Sequence, residues 1–449
     1  MNKEDEKETT KTEELIKVVV VVGATGTGKS RLALELAERL GPGAGVVNAD
    51  AMQCYAGLDT LTNKAGAAER ARVPHHCLAH RDPLAAAPYD VRCWTADADR
   101  AIAAIAARGG TPVVVGGTHY YVEALLWRNV LSLESESSPL QQEHEQQEED
   151  ELADKSNEEV HAMLRAVDPA TADRLHPNNR RKVVRALQVA RETGQPLSAL
   201  LHAQHTTQRP RPRYRALVLW VDYASLDVLD ARLDARVDEM AAGAMFPEIA
   251  ALKRCWMEAA SAAGKGQAQH PDFERGIFQA IGLRQLWDLV PAATTAPGDV
   301  EVDKERLDAA LDAMKQATRR YARQQRRWLA NRFARTHSSK STLLRLVVHN
   351  PARWDAEVLA PAQAAVTAFL CDEPVQGAAE DEEQHHEEEE ERDDARVWAP
   401  HTCEACKRTL HGDAEWAAHT RSKRHKTSVK RARLSAQNAQ NTKTESTIE

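Results

Sequence analysis

The chain has 449 residues and 42% hydrophobic content, more than one hydrophobic core usually holds, so two or three domains are expected. A net charge of −8 argues against a nucleic-acid partner only in sum, because acid is concentrated in low-complexity runs and base elsewhere. No stretch approaches the ~20 apolar residues that cross a bilayer, and an odd, scattered set of seven cysteines argues against a secreted disulfide framework, so a soluble intracellular protein is expected.

Residues 1–16, rich in Glu, Lys and Thr and without a hydrophobic leader region, read as a disordered tail. Lys17 to Val22 then reads as a buried strand, and Leu32, Leu34, Leu36, Ala37 and Leu40 as a short helix ended by Gly41-Pro42-Gly43. Between them lies Gly23-Ala24-Thr25-Gly26-Thr27-Gly28-Lys29-Ser30, the glycine loop of a phosphate-binding P-loop. Its glycines let backbone N–H groups and the helix N-terminus point at one anion, while Lys29 adds a mobile charge and Ser30 a hydroxyl for Mg²⁺. The loop predicts a di- or triphosphate ligand without saying whether it belongs to a nucleotide.

Gly45 to Asp50 reads as a second strand that delivers a carboxylate at its C-terminal end, the edge where ligands sit in open α/β sheets. An Ala-rich helix over Asp97 to Ala107 and a strand over Thr111 to Val115 lead into Gly116-Gly117-Thr118-His119-Tyr120-Tyr121. Strands alternating with helices predict a parallel sheet covered on both faces, an α/β P-loop core whose first part is 17–131. Residues 132–159 are almost devoid of apolar side chains and read as a disordered acidic insert. Residues 160–205 form a helical insertion, broken at His176-Pro177-Asn178 and Gly194-Gln195-Pro196, with Arg180, Arg181, Lys182 and Arg185 crowding one end.

The core returns over 206–355. Arg215 to Val221 reads as a strand, and Leu226, Leu229, Leu233, Val237 and Met240 as the core stripe of the next helix. Arg232 and Arg236 share a face of that helix, with Asp230, Asp234 and Asp238 as ready ion-pair partners. A basic helix is expected from Glu305 to Arg335 and a closing strand from Leu343 to His349. Residues 356–396 read as an acidic linker, most acidic from Gly377 to Asp394, and 431–449 as a basic disordered tail.

Between them, in 397–430, Cys403, Cys406, His419 and His425 carry two, twelve and five intervening residues, the spacing of a C2H2 zinc finger. Four protein ligands fill a tetrahedral shell, so this Zn²⁺ is expected to be structural. The surrounding basic residues, from Lys407 to Arg433, make a nucleic-acid contact the better reading of the module than a merely solvated face.

Together these motifs resemble the tRNA dimethylallyltransferase family, and the finger resembles that of its eukaryotic branch. The likeness spans most of Val18 to Trp354. It rests on the P-loop, Asp50-Ala51-Met52-Gln53-Cys54-Tyr55, Thr62-Asn63-Lys64, Val73-Pro74-His75-His76, Gly116 to Tyr121, Arg232 to Arg236, Gly276 to Gly282 and Thr318 to Ala322. The resemblance implies transfer of a dimethylallyl group from dimethylallyl diphosphate to N6 of the adenosine at position 37, next to the anticodon of tRNA, by a cytoplasmic monomer, with mitochondrial or nuclear copies left open.

Under that resemblance Asp50 is the general base and Thr25 and Arg236 are catalytic. Gly23, Thr25, Gly26, Thr27, Gly28, Lys29, Ser30 and Arg236 hold the diphosphate with catalytic Mg²⁺. Asp50, Ala51, Met52, Gln53, Thr118, Asn179, Arg180, Arg181, Lys182, Val183 and Arg185 meet tRNA, and the basic helix through Arg323 adds charge for the anticodon stem. Read from the residues alone, Asp50 could instead cap its loop or hold Mg²⁺ through water, though the base role is favoured, and Arg236 could pair with a neighbouring Asp. His75, His76 and His119 read as packing or RNA contacts. Ala51, Asn179, Lys182 and Gln324 depart from the family pattern, which bears on RNA affinity and not on reaction type.

Overall fold

Five consecutive valines, Val18 to Val22, occupy the middle of β1 (Lys17–Gly23), and every one is fully buried. A run that is apolar at successive positions suits only a strand covered on both faces. In this computed structural model, which describes residues 15–85, 89–127, 152, 154–200, 212–262, 270–294, 303–333, 341–378 and most of 400–429, β1 is central to a six-stranded parallel sheet.

The chain continues through α1 (Lys29–Arg39), β2 (Gly45–Asn48), α2 (Ala67–Arg72), β3 (His75–His76), α3 (Val91–Ala107), β4 (Pro112–Gly116) and α4 (His119–Leu126). After α5 (Asn157–Val167), α6 (Pro169–Arg174) and α7 (Arg180–Thr193) come β5 (Arg215–Tyr223), α8 (Leu226–Ala242), α9 (Met245–Ala262), α10 (Leu283–Leu286), α11 (Lys304–Trp328), β6 (Ser341–Val348) and α12 (Ala360–Leu370). The last elements are β7 (Pro400–Cys403), β8 (Arg408–His411) and α13 (Asp413–Arg421). Strand order is β3-β2-β4-β1-β5-β6, with Val20 of β1 opposite Val114 on one side and Val218 on the other. The loops after β1, β2 and β4 therefore emerge side by side at one edge.

Alternation sorts the valines into two cores. Val19 and Val21 pack with Leu32 and Leu36 of α1 and with Val366 and Phe369 of α12, whereas Val18, Val20 and Val22 pack with Trp94, Ile102 and Ile105 of α3 and Val122 and Leu125 of α4. A third cluster, around Met245, Phe246, Ile249, Leu283 and Trp287, supports the loop that carries Tyr55, Leu58 and Leu61. The chain divides into two compact units, 1–132 with 210–381 and 133–209 with 382–449. Within the second, α5 to α7 enclose their own core of Val160, Leu164, Ala172, Val183, Val184 and Leu187.

Several boundaries differ from the sequence reading. The linker expected over 356–396 begins with helix instead: a wide turn, Asp355–Leu359, runs into α12, and Val358, Ala362, Val366 and Phe369 are buried against the sheet. The acidic run expected to 159 yields to α5, which starts at Asn157 because Ser156 and Glu159 form a reciprocal capping box. Helix α3 starts six residues early, where Asp90 accepts the Arg92 and Cys93 N–H groups at 2.9 and 3.0 Å. Leu226 is 38% exposed at the first turn of α8 and lies outside the expected core stripe. The tail over 1–14, the acidic segments 132–151 and 379–399, and the basic tail lie outside the described residues.

Candidate active site at the strand ends

The P-loop is shaped by its glycines and locked from within. Gly28 has φ 92° and is the N-cap of α1, and a Cβ there would lie 2.6 Å from the Trp354 ring. Buried Thr27 donates its hydroxyl to the Ala24 carbonyl at 2.9 Å, and Lys29 Nζ lies 3.4 Å from the same oxygen. No acidic side chain occupies the first turn of α1, so the helix N-terminus keeps its positive character. Burial, with Arg236 nearby and partly offset by Asp50, pushes the Lys29 ammonium down to about 8.

Asp50 leaves β2 in a held conformation. Trp94 Nε1 donates to the Asn48 carbonyl at 2.9 Å, Asn48 Nδ2 donates to the Cys77 carbonyl at 3.1 Å, and the Ala51 N–H donates to Thr118 Oγ1 at 3.0 Å. One carboxylate oxygen, Oδ1, accepts the N–H groups of Met52 and Gln53 at 3.0 and 3.4 Å. The other, Oδ2, takes no hydrogen bond among the described residues and faces Gly117. The loop-capping and proton-accepting readings of Asp50 thus fall on different oxygens of one group. A Cβ added to Gly117 would lie 3.6 Å from both Asp50 Oδ2 and Lys29 Nζ, so carboxylate and ammonium converge on one small volume.

Arg236 reaches this volume from α8, donating to Thr25 Oγ1 at 2.8 Å, while Arg232 Nε donates to the Gly26 carbonyl at 2.9 Å. The acids expected to compete for Arg236 are taken. Asp238 pairs with Lys315 at 2.6 Å, Asp234 with Arg319 and Asp230 with Arg323, a ladder of four-residue steps running in opposite senses along α8 and α11. Arg236 Nε is buried without a hydrogen-bond partner among the described residues. Burial, followed by Arg232, lowers its pKa to about 10, so the guanidinium remains charged at neutral pH. A cavity of about 400 Å³ adjoins Arg236 and is also lined by Asp59, Lys64 and Arg70.

Arg319 and Arg323, expected to add charge for RNA, pair with α8 acids, while the Arg323 side chain stays 45% exposed. His119 is buried, stacks on Trp328 with ring centroids 5.4 Å apart, and has its Nε2 3.3 Å from the Gly23 carbonyl. Burial and then Lys29 press its pKa down to about 3, so it is a neutral donor. Thr118 serves the turn at Ala51 through its hydroxyl oxygen. Gln53 donates its amide to the carbonyls of Thr62 and Asn63 at 3.0 and 3.1 Å, tying two loops together.

In the insertion, Asn179 and Lys182 are exposed at the start of α7. Val183 is fully buried in the helical core and cannot touch RNA, which corrects the sequence reading. Arg180 is likewise occupied, with its guanidinium on the Leu152 carbonyl, on the Lys155 carbonyl at 2.9 Å and on Asn157 Oδ1 at 3.1 Å. Arg185 lies 3.4 Å from Glu192, and the Arg181 side chain lies outside the described residues.

The finger brings its four residues together. The ligand atoms of Cys403, Cys406, His419 and His425 all lie within 4.8 Å of one another. His425 Nδ1 is 3.5 and 3.6 Å from the two sulfurs and 3.1 Å from His419 Nε2. Tetrahedral Zn²⁺ with bonds of about 2.3 Å to sulfur and about 2.0 Å to nitrogen requires edges of roughly 3.3 Å between nitrogens, 3.5 Å between nitrogen and sulfur and 3.8 Å between sulfurs. The antiparallel β7–β8 hairpin supplies the cysteines, and α13 with the turn after it supplies the histidines.

The family model described as IPP transferase matches residues 53–332, and one described as isopentenyl transferase matches 16–81. The chain belongs to the IPP transferase family. It is similar to tRNA dimethylallyltransferases of Mus musculus, 37% identical over 93% of this chain and 86% of that one, and of Homo sapiens, 36% identical over 95% and 88%. A solved structure of a eukaryotic dimethylallyltransferase acting on tRNA is 26% identical, superposes with a TM-score of 0.68 and covers 95% of this chain and 99% of its own. The model matching 400–426 is described as a zinc-finger double-stranded RNA-binding module.

In this IPP transferase Gln325 and Trp328, which lie outside the sequence motifs, join Tyr321 of the Thr318 to Ala322 motif at the site. Gln325 of α11 accepts the Thr25 N–H at 2.8 Å and donates to the Gly117 carbonyl at 2.8 Å. Tyr321 and Trp328 lie on the same face of the helix at positions −4 and +3, Tyr321 beside Asp50 and Trp328 stacked on His119. The available signal was an uncharged stripe on an otherwise charged helix, masked by the density of arginines around it. The Mg²⁺ expectation fits the donor set: the Ser30 hydroxyl is exposed at the start of α1, with no side-chain hydrogen bond among the described residues.

Proposed function

We propose that this IPP transferase moves the dimethylallyl group of dimethylallyl diphosphate onto N6 of the adenosine at position 37 of tRNA, releasing diphosphate. The observation that carries the reading is the convergence of Asp50 Oδ2 and Lys29 Nζ on one point, with Arg236 seated on Thr25 beside them. The P-loop N–H groups, Lys29, Thr25 and Arg236 hold the diphosphate. As the C1–O bond breaks, negative charge grows on the leaving oxygen, and these fixed donors stabilise that charge more strongly than the ground state.

The N6 lone pair forms the new bond to C1, and the proton that N6 sheds passes to Asp50 Oδ2. An adenine amine is a weak nucleophile, so a carboxylate within hydrogen-bond reach contributes about 10²–10⁴-fold. Ser30, with oxygens of the substrate and water, would hold Mg²⁺, which neutralises part of the diphosphate charge. The adenine must leave the anticodon stack to reach Asp50, as in other enzymes that modify a base. Exposed Asn179 and Lys182 and the basic finger offer contacts to the rest of the RNA.

Mass analysis of tRNA incubated with dimethylallyl diphosphate and Mg²⁺ tests this. Wild type yields adenosine heavier by one dimethylallyl group, and Asp50→Ala and Arg236→Ala each lose at least about 10²-fold in rate. Full activity in Asp50→Ala ends the general-base assignment, and unmodified tRNA with wild type ends the reading as a whole.

A further inference from the structure

A buried amide from a helix remote in sequence sits between the two loops that carry the chemistry. Gln325 is 5% exposed, and both ends of its amide bind main-chain groups: Oε1 takes the Thr25 N–H and Nε2 gives to the Gly117 carbonyl, each at 2.8 Å. The first contact fixes the P-loop on the donor side. The second fixes the loop after β4, whose Thr118 in turn holds the turn at Asp50 and Ala51.

The fit is reciprocal. A Cβ on Gly117 would lie 2.5 Å from Gln325 Nε2, and the same point is 3.6 Å from Asp50 Oδ2 and from Lys29 Nζ. Gly117 is therefore vacant because the amide needs that space, and the amide reaches the centre of the site. Thr25 illustrates the consequence: Gln325 takes its N–H while Arg236 gives to its hydroxyl oxygen, so the hydroxyl proton is left to donate to the diphosphate.

We propose that Gln325 is a positioning residue that sets the distance between the diphosphate cradle and the carboxylate base. The proposal rests on the prenyl-transfer reading above. Prenyl transfer needs C1 and N6 at near-attack separation, and small displacements there cost rate far more than affinity. Gln325 touches no reacting atom; it acts through Thr25 and Gly117.

The test compares wild type, Gln325→Met and Gln325→Glu in full-length protein, with tRNA and dimethylallyl diphosphate both varied. Gln325→Met keeps the volume and loses both contacts. Gln325→Glu keeps the acceptor for the Thr25 N–H and turns the Gly117 contact into a repulsion. The expected result is a fall in kcat of about 10–100-fold for both, with KM for dimethylallyl diphosphate and tRNA affinity within about threefold of wild type. A kcat equal to wild type in either variant, or a loss confined to KM, overturns the proposal. Should Gln325→Met fail to fold, Gln325→Glu decides alone, and failure of both to fold assigns the amide a structural role and overturns it too. A wild type that transfers no prenyl group overturns this proposal together with the reading beneath it, whereas active wild type with unaffected variants sinks the positioning role alone.

Discussion

Lys29 owes its behaviour at the site to its environment. Burial lowers the ammonium to about 8, so a change within the physiological range discharges it. The sign follows directly. A lysine depressed below its ordinary value loses its proton as pH rises through about 8, and the diphosphate then loses one of its cations. We predict that kcat/KM for dimethylallyl diphosphate, which reports the free enzyme, declines above about pH 8, and that Lys29→Arg moves this limb upward by at least one unit. A flat profile to pH 9.5 would contradict the assignment. The same shift makes the charged lysine costly to the fold below pH 8, a cost relieved as pH climbs toward 10.5.

Among the elements, α8 and α11 matter most: three ion pairs join them through Asp230, Asp234 and Asp238, and Arg236 of α8 donates to Thr25. Each pair is half-exposed, so Arg319→Ala is expected to cost no more than about 1 kcal/mol in chemical denaturation while leaving KM for dimethylallyl diphosphate nearly unchanged. The finger is the opposite case, since its small module lacks an adequate core without metal. Chelation or removal of residues from Trp398 onward should weaken tRNA affinity and spare diphosphate binding, as read by titration of each ligand; unchanged tRNA affinity would give the finger another task.

The P-loop, the Asp50 strand and the finger spacing were legible because each is a local pattern whose residues chemistry constrains. Gln325, Val183 and α12 were not. A buried amide bridging two loops leaves no periodic trace, a valine between basic residues borrows their apparent role, and an Ala-rich helix following a Pro-Ala-Arg turn lacks the charged face that marks an amphipathic one.

At the scale of the molecule, the sheet does what no single motif can. Parallel strands ordered β3-β2-β4-β1-β5-β6 deliver Thr25, Asp50 and Gly117 to neighbouring positions, and α8 and α11 then bring Arg236 and Gln325 from about 200 and 300 residues away in sequence. Departures from the family pattern at Ala51 and Gln324 fall outside this centre: Ala51 contributes its backbone N–H, which any residue but proline supplies. The central claim is that one pocket holds an allylic diphosphate against an RNA amine. Its most direct measurement is the stoichiometry of turnover with tRNA, dimethylallyl diphosphate, ATP and Mg²⁺ together. One diphosphate released for each prenylated adenosine, with ATP untouched, is the predicted result; ATP consumption without prenylated adenosine would contradict it.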